Sequence, residues 1–109
     1  MTQHVYIVAP HLLWAKRWAD EQFRKGTLDR RSTFYSVKAG ALADAAPDDL
    51  IVLVNPVMCT GERWRLVKDA LELRRSGLVL VKGASTEVPF RFVQRMQANP
   101  RYIPFEVKT

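Results

Sequence analysis

The stretch Leu50-Ile51-Val52-Leu53-Val54 decides the fold, because five consecutive aliphatic residues are typical of a strand that is buried on both faces. Two similar runs lie on either side of it in the chain, Val5-Tyr6-Ile7-Val8-Ala9 and Leu78-Val79-Leu80-Val81. Strands with two buried faces need helices above and below a mainly parallel sheet. The three runs therefore predict a three-layer α/β domain.

The segments between these runs have the apolar spacing of helices. In the first segment, Leu12, Ala15, Ala19 and Phe23 recur at helical intervals until Gly26, which is a typical helix stop. Thr60 is the predicted N-cap of a second helix, which ends before Gly77. Near the C-terminus, Pro89 opens a third predicted helix, and an alternating strand over residues 88–92 is the alternative.

Two weaker segments complete the predicted sheet. Residues 33–38 alternate between polar and apolar character, which favours an edge strand, and residues 41–46 are compatible with a short helical turn. Pro104 lacks a ladder donor, so residues 101–107 form either an edge strand or no strand. Right-handed crossovers then favour the strand order 2-1-3-4-5, which is a small Rossmann-like or flavodoxin-like domain with a four- or five-stranded sheet.

Length and composition limit the class of protein. The 109 residues, 48% of them hydrophobic, predict one α/β domain over residues 1–109. The single Cys59 cannot form an intramolecular disulfide, and the apolar runs are far shorter than the roughly 20 residues that cross a bilayer. The chain also starts without a basic signal-peptide segment. We therefore expect a cytoplasmic protein that does not bind a membrane.

The predicted topology brings the ends of the first and third strands together, and ligands of such sheets bind at this reversal of strand order. A helix that starts at Thr60-Gly61 would point unpaired N–H groups and the positive end of its dipole into the crevice. Two nearby cations and several hydrogen-bonding side chains complete the predicted site. The candidate ligand-binding residues are His11, Asn55, Thr60, Gly61, Arg63, Lys82 and Ser85.

The charge of the chain favours an anionic partner. Seventeen Lys and Arg residues against 11 Asp and Glu give a net charge of +6, and basic residues cluster over 24–31. Phosphate groups are the commonest partners of such clusters, and Tyr35, Phe90 and Tyr102 are candidate platforms for bases. The leading hypothesis is a non-enzymatic domain that binds a nucleotide, a phosphorylated metabolite or a nucleic-acid backbone.

A second hypothesis comes from the surplus of apolar residues on the first predicted helix. Trp14 and Trp18 lie beside its main apolar stripe, and Arg17 accompanies them. Tryptophan and arginine are enriched at the energetic centres of protein interfaces. These three residues predict a surface for a protein partner or a homodimer, as in a small regulatory or viral-type accessory protein, with packing inside the domain as the alternative.

A third hypothesis is enzymatic. Cys59 and Arg65 are separated by five residues, a spacing that resembles the C-x₅-R loop of cysteine phosphatases and arsenate reductases. That resemblance implies a thiolate nucleophile, but Glu62 and Trp64 are large for a loop that wraps a phosphate. His11 is an alternative general base. No metal site and no glycine-rich nucleotide motif is readable, so we assign no catalytic residue and expect no cofactor.

Overall fold

The computed structural model describes residues 3–83 and 87–108. Its main elements, in chain order, are β1 (Val5–Val8), α1 (Leu12–Lys25), β2 (Thr33–Tyr35), β3 (Leu50–Val54), α2 (Gly61–Leu73), β4 (Gly77–Gly83), α3 (Phe90–Ala98) and β5 (Tyr102–Lys108). The five strands form one all-parallel sheet in the order β2-β1-β3-β4-β5. The predicted α/β class and strand order are therefore confirmed.

Helices pack on both faces of the sheet, as the aliphatic runs predict. Leu53 packs on the same side as Leu66 of α2 and Met96 of α3, whereas its neighbour Val52 packs on the opposite side with Ala19 of α1. All five residues are fully buried. Successive strand residues point to opposite faces, so a strand between two helical layers must be apolar at every position.

The helix ends agree with the sequence in one case and differ in another. Gly26 ends α1 in the left-handed conformation (φ 74°), and its N–H donates to the carbonyls of Gln22 and Phe23. α2 ends before Gly77, as predicted, but its C-cap is Arg74 in the left-handed conformation (φ 61°) and not a glycine. Gly77 instead begins β4, where a Cβ atom would lie 2.9 Å from Cδ1 of Leu50.

The structure also decides between the alternatives for the segments whose sequence patterns were weak. The strand predicted over 33–38 is shorter, and residues 39–44 form consecutive turns and not a helix. The helix interpretation of the segment after Pro89 is confirmed. β5 is an edge strand whose pairing with β4 is irregular between Val79 and Val81, so Pro104 interrupts no central ladder.

Asp49 closes the amino end of β3 with a buried carboxylate that is 4% exposed. Burial acts to raise the pKa of this group, but the backbone N–H groups of Ala46 (2.8 Å) and His4 (3.0 Å), together with the His4 ring, hold it below its usual 3.8. Asp49 therefore joins the turn before β3 to the chain entering β1.

We expect Asp49 to make stability pH-dependent. Because the folded-state pKa is lowered, the contribution is present above about pH 4 and is lost as the pH falls through the folded value. Urea unfolding at neutral and acidic pH should show a smaller acid-induced loss in Asp49→Asn than in the native chain. Asp48→Asn, at an exposed neighbouring position, is the control. Equal acid-induced losses in the native chain and Asp49→Asn would contradict this role.

Candidate functional site

The crevice between β1 and β3 is spanned by an arginine. Arg63 lies in the first turn of α2, and its Nη1 donates to the carbonyl oxygen of Ala9 at 2.9 Å. Ala9 follows β1 directly, so this bond joins the start of α2 to the carboxyl end of the neighbouring strand. Arg63 is half-buried. Its guanidinium group is therefore oriented at the point where the strand order reverses.

Asn55 joins the carboxyl ends of β3 and β4. Its backbone N–H donates to the carbonyl of Val81 at 2.7 Å, and its side-chain oxygen accepts from the N–H of Gly83. The residue is 9% exposed and has a left-handed backbone (φ 46°, ψ 51°). Asparagine tolerates this conformation better than most residues. Asn55 therefore links the ends of β3 and β4 beneath the crevice by hydrogen bonds.

The start of α2 exposes backbone donors. Thr60 occupies the predicted N-cap position, but its hydroxyl makes no capping bond. Gly61 adopts φ +60°, which favours glycine, and a Cβ atom there would meet open space. Within the described residues, the N–H groups of Gly61, Glu62 and Arg63 have no acceptor. Such donors, at the positive end of the helix dipole, attract anions.

Arg63 also has no counter-ion among the described side chains. Across residues 3–83 and 87–103, no carboxylate oxygen lies within 4.0 Å of its side-chain nitrogens, and the adjacent Glu62 is exposed. Partly buried charges in proteins are normally paired. The guanidinium group therefore keeps donors that the carbonyl of Ala9 does not use.

Cys59 is not equipped as a nucleophile. The residue is 6% exposed, and burial raises its pKa to about 11, although the charge of Arg63 acts in the opposite direction. The thiol is therefore protonated at neutral pH, and the thiolate is the reactive form. Arg65, the other half of the C-x₅-R spacing, is exposed. Cys59 packs as a small apolar residue beside α2.

The remaining predicted ligand residues are less closely grouped. His11 is exposed at the N-cap of α1, where its ring meets that of Trp14 edge to face with centroids 5.9 Å apart. Lys82 is half-buried on β4. Ser85 lies outside the described residues. The geometry of the crevice thus rests on Asn55, Arg63 and the start of α2.

One of the three residues of the predicted protein interface on α1 is buried inside the domain. Trp18 is 6% exposed and packs in the apolar layer between α1 and the sheet, and Trp14 is half-buried against the same layer. Arg17 is exposed. Trp18 therefore packs inside the domain, the alternative that the sequence left open, whereas Leu12 and Leu13 of the same helix are exposed.

Several arginines serve the fold, a role that sequence reasoning missed. At the amino end of the sheet, Arg75 donates to the carbonyls of Ala43 and Ala45, and Arg101 donates to that of Pro47. Arg74 likewise donates to the carbonyl of Ala98. These hydrogen bonds stabilise turns and a helix end, and no local sequence pattern predicts them. The arginine excess is therefore a weaker sign of an anionic partner than its number suggests.

Comparisons with protein-family models, with curated proteins and with solved structures find no match. Among the described residues, no group of three His, Cys, Asp or Glu side chains is arranged to hold a metal ion. No helix in the described part of the chain is long and apolar enough to span a bilayer.

Proposed function

We propose that this protein binds an anionic ligand through a phosphate or carboxylate group at the β1–β3 crevice. A nucleotide, a phosphorylated metabolite and a nucleic-acid backbone all carry such a group. The observation that supports this function most directly is the half-buried, oriented Arg63 without a carboxylate partner among the described residues.

The chemistry of the crevice suits an oxyanion. A guanidinium group offers planar, paired donors that match phosphate and carboxylate oxygens. The free N–H groups at Gly61 and Glu62 add neutral donors on the same helix turn. A ligand oxygen would satisfy donors that are otherwise left without a partner in the described residues, and the bond from Arg63 to Ala9 limits the ordering cost of binding. We propose no catalytic step.

Calorimetric titration with inorganic pyrophosphate tests the proposal. We expect saturable one-to-one binding with a dissociation constant below about 1 mM. Affinity should fall as salt is added, because the interaction is electrostatic. Absence of saturable binding would contradict the proposed function, since pyrophosphate presents the required group without other chemistry.

A further inference from the structure

A separate groove lies on the face of the sheet that α2 and α3 cover. Its volume is about 350 Å³. Its lining combines apolar and aromatic side chains with two arginines: Val57, Trp64, Pro89, Arg91, Phe92 and Arg95. The groove therefore joins aromatic surface to positive charge, outside the site at Arg63.

Aromatic rings form the distinctive part of this surface. Trp64 is half-buried in the groove, whereas Phe92 is 6% exposed and belongs to the core. Phe90 does not line the groove itself; it lies in the chain between two lining residues, Pro89 and Arg91, and is 73% exposed. Among the described residues, Phe90 packs in neither core cluster. Exposed aromatic rings beside arginines are a typical platform for unstacked bases.

The two arginines are available to a ligand. Arg91 and Arg95 are four residues apart on α3, so both lie on one side of the helix. Arg91 is exposed and has no hydrogen-bond or ionic partner within the described residues. Arg95 Nη2 lies 4.0 Å from Glu72 Oε1, and both side chains are well exposed. Such a pair is weak, so a phosphate group can replace the carboxylate.

We propose that this groove and the exposed Phe90 beside it bind single-stranded nucleic acid, with one base stacked on Trp64 in the groove, a neighbouring base on Phe90, and phosphates held by Arg91 and Arg95. The two exposed arginines favour a negatively charged partner. Flat bases suit exposed rings beside an open groove, whereas an apolar peptide side chain needs an enclosed pocket. Acidic peptide is therefore the competing partner that the experiment must exclude.

Fluorescence anisotropy with labelled 12-residue oligothymidylate and oligouridylate tests this inference. Phe90→Ala should weaken binding roughly 5- to 100-fold, because stacking on that ring is lost while the exposed position leaves the fold intact. Combined Arg91→Gln and Arg95→Gln should weaken binding and lower the slope of affinity against salt by about two. Combined Lys16→Gln and Arg17→Gln is the control, because it removes the same charge from exposed positions of α1 outside the 24–31 cluster.

Three results would overturn the inference. The first is no oligonucleotide binding at about 50 mM salt, where even non-specific contacts are measurable. The second is an equal loss in the α1 control, which would indicate general charge attraction. The third is displacement of the oligonucleotide by polyglutamate at equal concentration, which would favour an acidic peptide. None of these results bears on pyrophosphate binding at Arg63, so the two proposals fail separately.

Discussion

Arg63→Gln is expected to weaken pyrophosphate binding roughly 10- to 150-fold, because the charge-assisted hydrogen bonds that it removes contribute about 1.5–3 kcal/mol. The matched control is Arg65→Gln. Arg65 lies two residues further along the same helix, is exposed, and loses the same charge in that variant. A long-range effect of net charge would weaken both variants equally, whereas a site at the crevice distinguishes them.

The structural role of Arg63 is separated from ligand binding by a second variant. Arg63 also donates to Ala9, so Arg63→Gln loses one bond of the fold, and its melting temperature must be recorded. Arg63→Lys keeps the charge but not the planar pair of donors. We expect intermediate affinity from Arg63→Lys. Native affinity in a folded Arg63→Gln variant would exclude the crevice as the anion site.

Asn55→Ala is expected to lower the free energy of unfolding by about 2–4 kcal/mol. Two causes add: the N–H of Gly83 loses its acceptor, and alanine is strained in the left-handed conformation that Asn55 adopts. Urea denaturation at neutral pH measures the change. The effect should be large because this one side chain joins the ends of two central strands.

Asn55→Gly separates the two causes. Glycine adopts the left-handed conformation without strain, so only the loss from the missing acceptor should remain. We therefore expect Asn55→Gly to be destabilised less than Asn55→Ala. Equal stability of the native chain and Asn55→Ala would show that the Asn55 side chain does not stabilise the ends of β3 and β4. It would also contradict the rigidity that we assign to the base of the proposed site.

The fold was predictable because burial on both faces leaves a clear mark in the sequence. The run from Leu50 to Val54 has no polar position, and this alone required a layer of helices on either side. The same signal identified the central strands and hence the crevice. The C-cap of α2 was not predictable, because nothing in the local sequence marks Arg74 for the left-handed conformation.

The candidate site was predictable only in part. Thr60 and Gly61 were identified because helix starts have a local signature. The bond from Arg63 to Ala9 joins residues 54 positions apart, so it depends on packing that no local pattern encodes. Trp18 illustrates the same limit, since a helical stripe does not reveal whether its edge covers the sheet or faces a partner.

The most direct test is a ¹⁵N-resolved NMR titration of the native chain with pyrophosphate, because it reports binding and position together. We predict saturable shifts concentrated at the backbone amides of Gly61, Glu62 and Arg63, the donors that lack acceptors in the described residues. Small shifts spread evenly over the basic surface, with these three amides unmoved, would contradict an anion site at the start of α2.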